Sequence, residues 1–264
     1  MDFPRFLDCL AADYNRLRAV VETDADAPVP TCPGWTVADL TRHVGEVYLH
    51  KTVAMREGVE PEPWPPKEFA EEEPTALLDR GYSALRAEFA GRAPEDPAAT
   101  WYGPDQSVGF WIRRMAQETV VHRIDAELAT GRSVAPVPAD LAVDGVDELL
   151  KVFAAYSVAE WGDYFTDILA GSPGRTFLVR AGDAAWRVRT GPGEFTVTDG
   201  AGDGTADVTF SGTPQAVLRR LWNRQGTDGD GGGDGGDAGN GGVTVEGDPE
   251  AAEELRRCVV VATE

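Results

Sequence analysis

Apolar residues recur at offsets of three and four from the start of the chain. Phe3, Phe6, Leu7, Leu10, Tyr14, Leu17 and Val21 form one stripe of an amphipathic helix. The Pro- and Asp-rich run TDADAPVPTCPG ends it. A second helix is expected to open behind Thr36, whose hydroxyl can cap it, with Asp39 completing a capping box. It runs to about Glu57 and stops before Gly58. The acidic, Pro-rich stretch VEPEPWPPKEFAEEEP predicts a connection. A third helix then follows over Thr75 to Ala90, carrying Leu77, Leu78, Tyr82, Leu85 and Phe89. A fourth is predicted over Val108 to Ala129, with Gly131 as its stop. After APVPAD comes a fifth helical segment, Leu141 to Ala170. Long helices joined by loops read as an up-and-down or crossover bundle.

From Arg175 onward the period shortens to two. FLVRAG, AAWRVRTG, EFTVTDG and ADVTFSG alternate and are separated by Gly and Asp, which predicts a strand meander. A helix over Pro214 to Trp222, the strand VTVEG and a last helix from Pro249 to about Cys258 complete the pattern. The expected organisation is a helical bundle over residues 1–170 and a small α+β domain over 171–264. Between the last elements, GTDGDGGGDGGDAGNGG at 226–242 has too little apolar content to order itself and is expected to be a disordered loop. It lacks the nonapeptide period of a calcium-binding repeat.

Charge narrows the partners. Of 264 residues, 24 are Lys or Arg and 45 Asp or Glu, a formal charge of −21. Such a surface repels phosphate backbones and anionic lipid, so neither nucleic acid nor membrane is an expected partner. An anionic substrate would need a local basic pocket that overrides this field. The expected partners are small molecules, and the expected state is a monomer or homodimer. Cys9, Cys32 and Cys258 are odd in number and show no CxxC spacing, which argues against a disulfide scaffold and fits a reducing cytoplasm. The N-terminal run mixes acids and bases into its apolar residues, unlike a signal peptide. No apolar run approaches the roughly 18 residues of a membrane helix.

The chain has three histidines: His43, His50 and His122. In RRMAQETVVHRIDA, Glu118 precedes His122 by four residues and Asp125 follows by three, so all three share one helical face. A Glu and a His one turn apart make a good metal clamp, and a third ligand must come from another helix. His43 is the natural donor, beside the buried positions Leu40, Val44 and Val47. His50, two turns on, and Glu46 between them compete for the role, and spacing alone does not choose. Two imidazoles and a carboxylate suit catalytic Zn2+, with nickel or iron also compatible. Cys32 precedes a helix start, where a thiol pKa falls, but Pro33 and Gly34 favour a purely turn-forming role. Trp35 and Trp111 read as packing residues near the bundle's open end.

The runs PTCPGWTVADLTRHVGE and RRMAQETVVHRIDAELATG together resemble the mycothiol-dependent maleylpyruvate isomerase family. The likeness covers nearly the whole chain. It implies a DinB-like four-helix metal-binding domain followed by a small sterol-carrier-like α+β domain. It also implies a divalent metal held by His43, Glu118 and His122, with mycothiol as thiol cosubstrate. Asp125 matches the family's acidic residue after the second histidine, with the role of orienting a ligand. His50 matches no family ligand. The activity implied is thiolate addition to an electrophilic small molecule with cis–trans isomerisation. Mycothiol S-transfer, a non-catalytic metal-binding module and a hydrolase using metal-bound water are the alternatives. For a dicarboxylate substrate, Arg113, Arg114 and Arg123 near the motif are candidate clamps, as are Arg187 and Arg189 on a strand. Arg113, Arg123 and Asp125 are the expected catalytic side chains.

Overall fold

The computed structural model describes residues 1–225 and 242–263. The chain divides into two compact units, Met1–Ala135 and Pro136–Glu264. The first contains α1 (Phe3–Val21), α2 (Val37–Glu57), α3 (Pro74–Ala90) and α4 (Val108–Ala129). Local signals set their ends. Asp2 caps α1 by accepting from the Arg5 N–H at 2.9 Å. Thr36 and Asp39 form the reciprocal capping box of α2, and Gly58 at φ +70° closes it. Ser107 caps α4.

In this bundle α1 packs along α4 and α2 along α3. Leu10, Leu17, Leu40, Val44, Tyr48, Leu77, Leu78, Leu85, Trp111 and Met115 form the core. The α2–α3 approach depends on two glycines. A Cβ at Gly45 would fall 2.8 Å from the Leu78 backbone nitrogen, and one at Gly81 would fall 2.6 Å from the Gly45 carbonyl oxygen. α4 is buried nearly all round, so its polar residues Arg114, Gln117, Thr119, His122, Arg123, Asp125 and Glu127 lie inside the protein. Each buried polar group needs a partner or a function. That requirement locates the chemistry on α4.

The second unit opens with α5 (Ala139–Glu148), which passes through a π-helical segment, Leu149–Ala155, into α6 (Tyr156–Glu160). The single helix expected over 141–170 therefore ends at Trp161, whose φ of −128° and ψ of 41° leave the helical region. A 3-10 turn, Gly162–Phe165, and the short α7 (Thr166–Leu169) follow. The expected domain boundary at residue 170 is also corrected. α5 buries Leu141, Ala142 and Val146 and packs on α8 (Pro214–Leu221). The π-helical segment packs on β3 (Glu194–Asp199) and α9 (Pro249–Thr263). Helices α1 to α4 satisfy one another's apolar faces, so this segment belongs with the sheet. The boundary falls in the Pro-containing run after α4.

The sheet order is β3-β2-β1-β4-β5, with β1 Arg175–Ala181, β2 Ala184–Gly191, β4 Val208–Gly212 and β5 Thr244–Gly247. Only β1, β2 and β3 form the expected meander. β4 pairs parallel to β1, Phe177 opposite Val208, on the far side from β2. The reason lies in the return loop. Arg187 Nε donates to the Ala201 carbonyl at 2.7 Å and Nη2 to the Gly204 carbonyl at 2.8 Å, while Asp207 exchanges hydrogen bonds with the Thr176 backbone. The Gly- and Asp-rich loop expected at 226–242 lies outside the described residues, apart from Gly242. No helix of the described residues is long and apolar enough to cross a membrane.

Candidate metal centre

The site lies on the seam between α2 and α4. Offsets of four and three put Glu118, His122 and Asp125 on one face of α4, and α2 brings His43 against them. His122 Nε2 lies 3.1 Å from Glu118 Oε1, and His43 Nε2 lies 3.5 Å from the same oxygen. The two imidazole centroids are 5.1 Å apart at nearly right angles. One donor atom from each of His43, Glu118 and His122 falls within 4.8 Å of the others, close enough to share one ion. The donor set fits a divalent cation such as Zn2+: two imidazoles and one carboxylate.

The surroundings orient these donors. Asp125, fully buried, places Oδ2 2.9 Å from His122 Nδ1, and its Oδ1 accepts the Thr31 hydroxyl at 2.5 Å. That bond holds the imidazole with Nε2 toward Glu118. Arg114 Nη2 donates to Glu118 Oε2 at 2.7 Å, leaving Oε1 facing both imidazoles. The half-buried Trp35 ring stands 4.9 Å from the His43 ring. Burial penalises charge on Glu118, but His122, His43 and Arg114 outweigh it and hold the carboxyl well below its usual range. Burial likewise disfavours the His122 imidazolium, yet Glu118 and Asp125 push its pKa up to about 9. In the metal-free chain a proton thus occupies the place a cation would take.

Cys32, His122 and Asp125 form a second group of donors within 4.8 Å. The Cys32 sulfur is 3.8 Å from Asp125 Oδ2. Both Asp125 oxygens already accept from protein donors, so the group containing Glu118 is the better cation site. His50 does not join either group. Its ring stands edge-on to Trp64 at 5.1 Å, and burial, with Lys51 nearby, lowers its pKa to about 4. Trp111 is fully buried and donates to the Ala99 carbonyl at 2.9 Å.

The arginine expectations need correction. Arg123 is fully buried and turned toward α1: Nε meets Asp13 at 3.0 Å, and Nη1 meets Glu127 at 2.7 Å and the Ala135 carbonyl at 2.9 Å. One residue past His122, it faces about 100° around the helix from it and holds the α1–α4 interface. Arg113 is half-buried on α4 and lies about 140° around the helix from Glu118. Arg114, four residues before Glu118, is the arginine that reaches the site. The one-turn rule applied strictly would have chosen it. Arg187 is engaged by loop carbonyls and Arg189 is exposed. Asp125 meets the candidate site through His122 Nδ1. Thr31 carried no signal, because its contact joins a loop to a helix ninety-four positions away.

Residues 7–127 match the family model described as the mycothiol maleylpyruvate isomerase N-terminal domain, and residues 140–254 match the C-terminal domain of the same family. Among solved structures, the crystal structure of the mycothiol-dependent maleylpyruvate isomerase is similar over 93% of this chain and 93% of its own, at 14% identity and a TM-score of 0.58. A histidine-to-alanine mutant of that isomerase matches over 85% of this chain and 90% of its own, at 12% identity and the same TM-score. Identities this low speak to the fold. Comparison with curated proteins finds no match. With its two units matched in order by the two models, the chain belongs to the mycothiol-dependent maleylpyruvate isomerase family.

Proposed function

We propose that this protein is a metal- and mycothiol-dependent enzyme that adds a thiolate to an electrophilic small molecule and isomerises it from cis to trans. The observation that carries the reading is the convergence of His43, Glu118 and His122 donor atoms within 4.8 Å, with His122 oriented by a buried carboxylate. Family membership supports mycothiol as the thiol.

His43, Glu118 and His122 would hold the cation. When bound, a divalent cation supplies the positive charge that converts a thiol of pKa about 8.5 into a thiolate at neutral pH. The chain's own residues do the rest. Asp125 keeps the Nδ1 proton of His122, so Nε2 offers its lone pair. Arg114 steadies Glu118 through the oxygen that faces away from the imidazoles. Burial of the α4 side chains keeps water from competing for these bonds.

The mycothiol thiolate attacks one carbon of the substrate's cis double bond, and the π electrons move into the conjugated carbonyl. The former double bond is then single and rotates. Expulsion of the thiolate restores the double bond in the trans form, as in conversion of maleylpyruvate to fumarylpyruvate. Thiol is regenerated and no oxidant is needed. The protein's contribution is orientation of thiol and substrate.

Elemental analysis of purified wild type and His122→Ala, with mycothiol titrated into each, tests the reading. We expect one equivalent of divalent metal and thiol binding in wild type, and neither in the variant. Stoichiometric metal in His122→Ala would remove the assignment. With turnover established, free thiol remains constant for isomerisation, and its stoichiometric loss would mark S-transfer instead.

A further inference from the structure

The α2–α4 seam continues past the metal ligands. On α2, Lys51 follows His43 by eight residues, about 12 Å along the axis and about 80° around it. On α4, Arg114 and Trp111 precede Glu118 by four and seven residues. The Lys51 ammonium stands 4.8 Å from the centre of the buried Trp111 ring. Only 17% of the Lys51 side chain is exposed, and its ion-pair partner Glu60 lies 3.7 Å away, beyond hydrogen-bond range. A lysine at a bundle seam ordinarily lays its stem over apolar surface and delivers its ammonium to water. Lys51 instead directs its ammonium onto the Trp111 ring of α4.

That placement has an electrostatic consequence. Burial pulls the Lys51 pKa down; the Glu60 and Glu118 carboxylates oppose the shift and Arg114 reinforces it. A partly buried ammonium whose one ion pair spans 3.7 Å has room for a closer anionic partner. A divalent cation on the ligands would add positive charge to the seam beside Lys51 and Arg114, on a chain whose formal charge is −21. Helical side chains lean toward the helix N-terminus, so the Lys51 stem leans toward His43 and shortens the interval between them.

We propose that Lys51, seated on Trp111 and backed by Arg114, binds a carboxylate of the electrophilic substrate and selects anionic over neutral substrates. The substrate's role rests on the function proposed above; the anion site itself is tested separately. Maleate is titrated calorimetrically into metal-loaded wild type, Lys51→Met and Lys51→Arg, with dimethyl maleate as the uncharged probe and metal content measured for each. The partner that Lys51→Met leaves, Glu60, is 38% exposed and can turn to water, so the variant is expected to fold; Lys51→Gln provides the same comparison where it does not. Loss of one charge-assisted contact predicts maleate affinity roughly 10- to 100-fold weaker in Lys51→Met. Lys51→Arg restores most of it, and dimethyl maleate and metal content do not change. Equal maleate affinity in wild type and Lys51→Met overturns the proposal, as does failure of wild type to bind maleate. Absence of metal from wild type strikes the proposed function instead and leaves the maleate comparison intact.

Discussion

Asp125→Asn separates orientation of the metal ligand from stability of the fold. The Asp125 side chain is fully buried, with Oδ2 on His122 Nδ1 at 2.9 Å and Oδ1 on the Thr31 hydroxyl at 2.5 Å. Asparagine keeps the size and the planar head. Its oxygen can still accept from His122 Nδ1, and its NH2 group can donate to Thr31, whose hydroxyl switches from donor to acceptor. No buried group is orphaned, so the fold survives. What disappears is the negative charge that makes His122 more basic. Removing such a partner typically weakens metal affinity about 10- to 100-fold, or about 1.4–2.7 kcal/mol. Competition between the loaded protein and a chelator of known affinity measures the loss, with thermal melts of the metal-free forms in parallel. Asp125→Ala should differ, because His122 Nδ1 and Thr31 both lose their partner. That adds about 1–3 kcal/mol of destabilisation per orphaned buried group. An Asp125→Asn protein that holds metal as tightly as wild type would refute the positioning role.

Arg123→Met should destabilise the protein by about 3 kcal/mol, the lower end for a broken buried pair because Arg16 still answers Glu127, while metal stoichiometry stays that of wild type; loss of metal in urea-stable protein would return Arg123 to the site. The pKa of His122 in the metal-free chain is raised to about 9 from an ordinary 6.5, so its stabilising contribution is complete below about pH 6.5 and fades as pH rises through 9. Melting curves of metal-free protein should therefore fall across that window, and metal-loaded protein, in which the cation takes the place of the Nε2 proton, should not follow; identical slopes would contradict this. Gly45→Ala should cost about 1–3 kcal/mol in urea unfolding, because the new Cβ meets backbone atoms of Leu77 and Leu78 at 2.9 and 2.8 Å; a change near zero would show slack between α2 and α3.

Much of this architecture is written in short-range pattern. Thr36 and Asp39 announce the start of α2, Gly58 its end, and the offsets of three and four in α1 its buried face, because caps and amphipathic stripes are properties of neighbours in the chain. The same locality makes Glu118, His122 and Asp125 legible as one constellation on α4. The fifth helix was harder: its periodicity continues through Ala170, but the break at Trp161 and the π-helical segment answer to the sheet it packs on.

Sequence by itself therefore determined the four bundle helices, the change to strands after residue 175 and the shared helical face of Glu118, His122 and Asp125. Tertiary structure decided which arginine serves the site, where the first unit ends, and that β4 returns beside β1. It also decided that His43 rather than His50 meets α4, since both lie on one helix and spacing permits either. The physical reason is common to all of these. Periodicity records which side of an element is buried, whereas a partner on another element depends on how two helices are rotated and how closely they approach. At the α2–α3 contact, that approach is set by the bare backbones of Gly45 and Gly81.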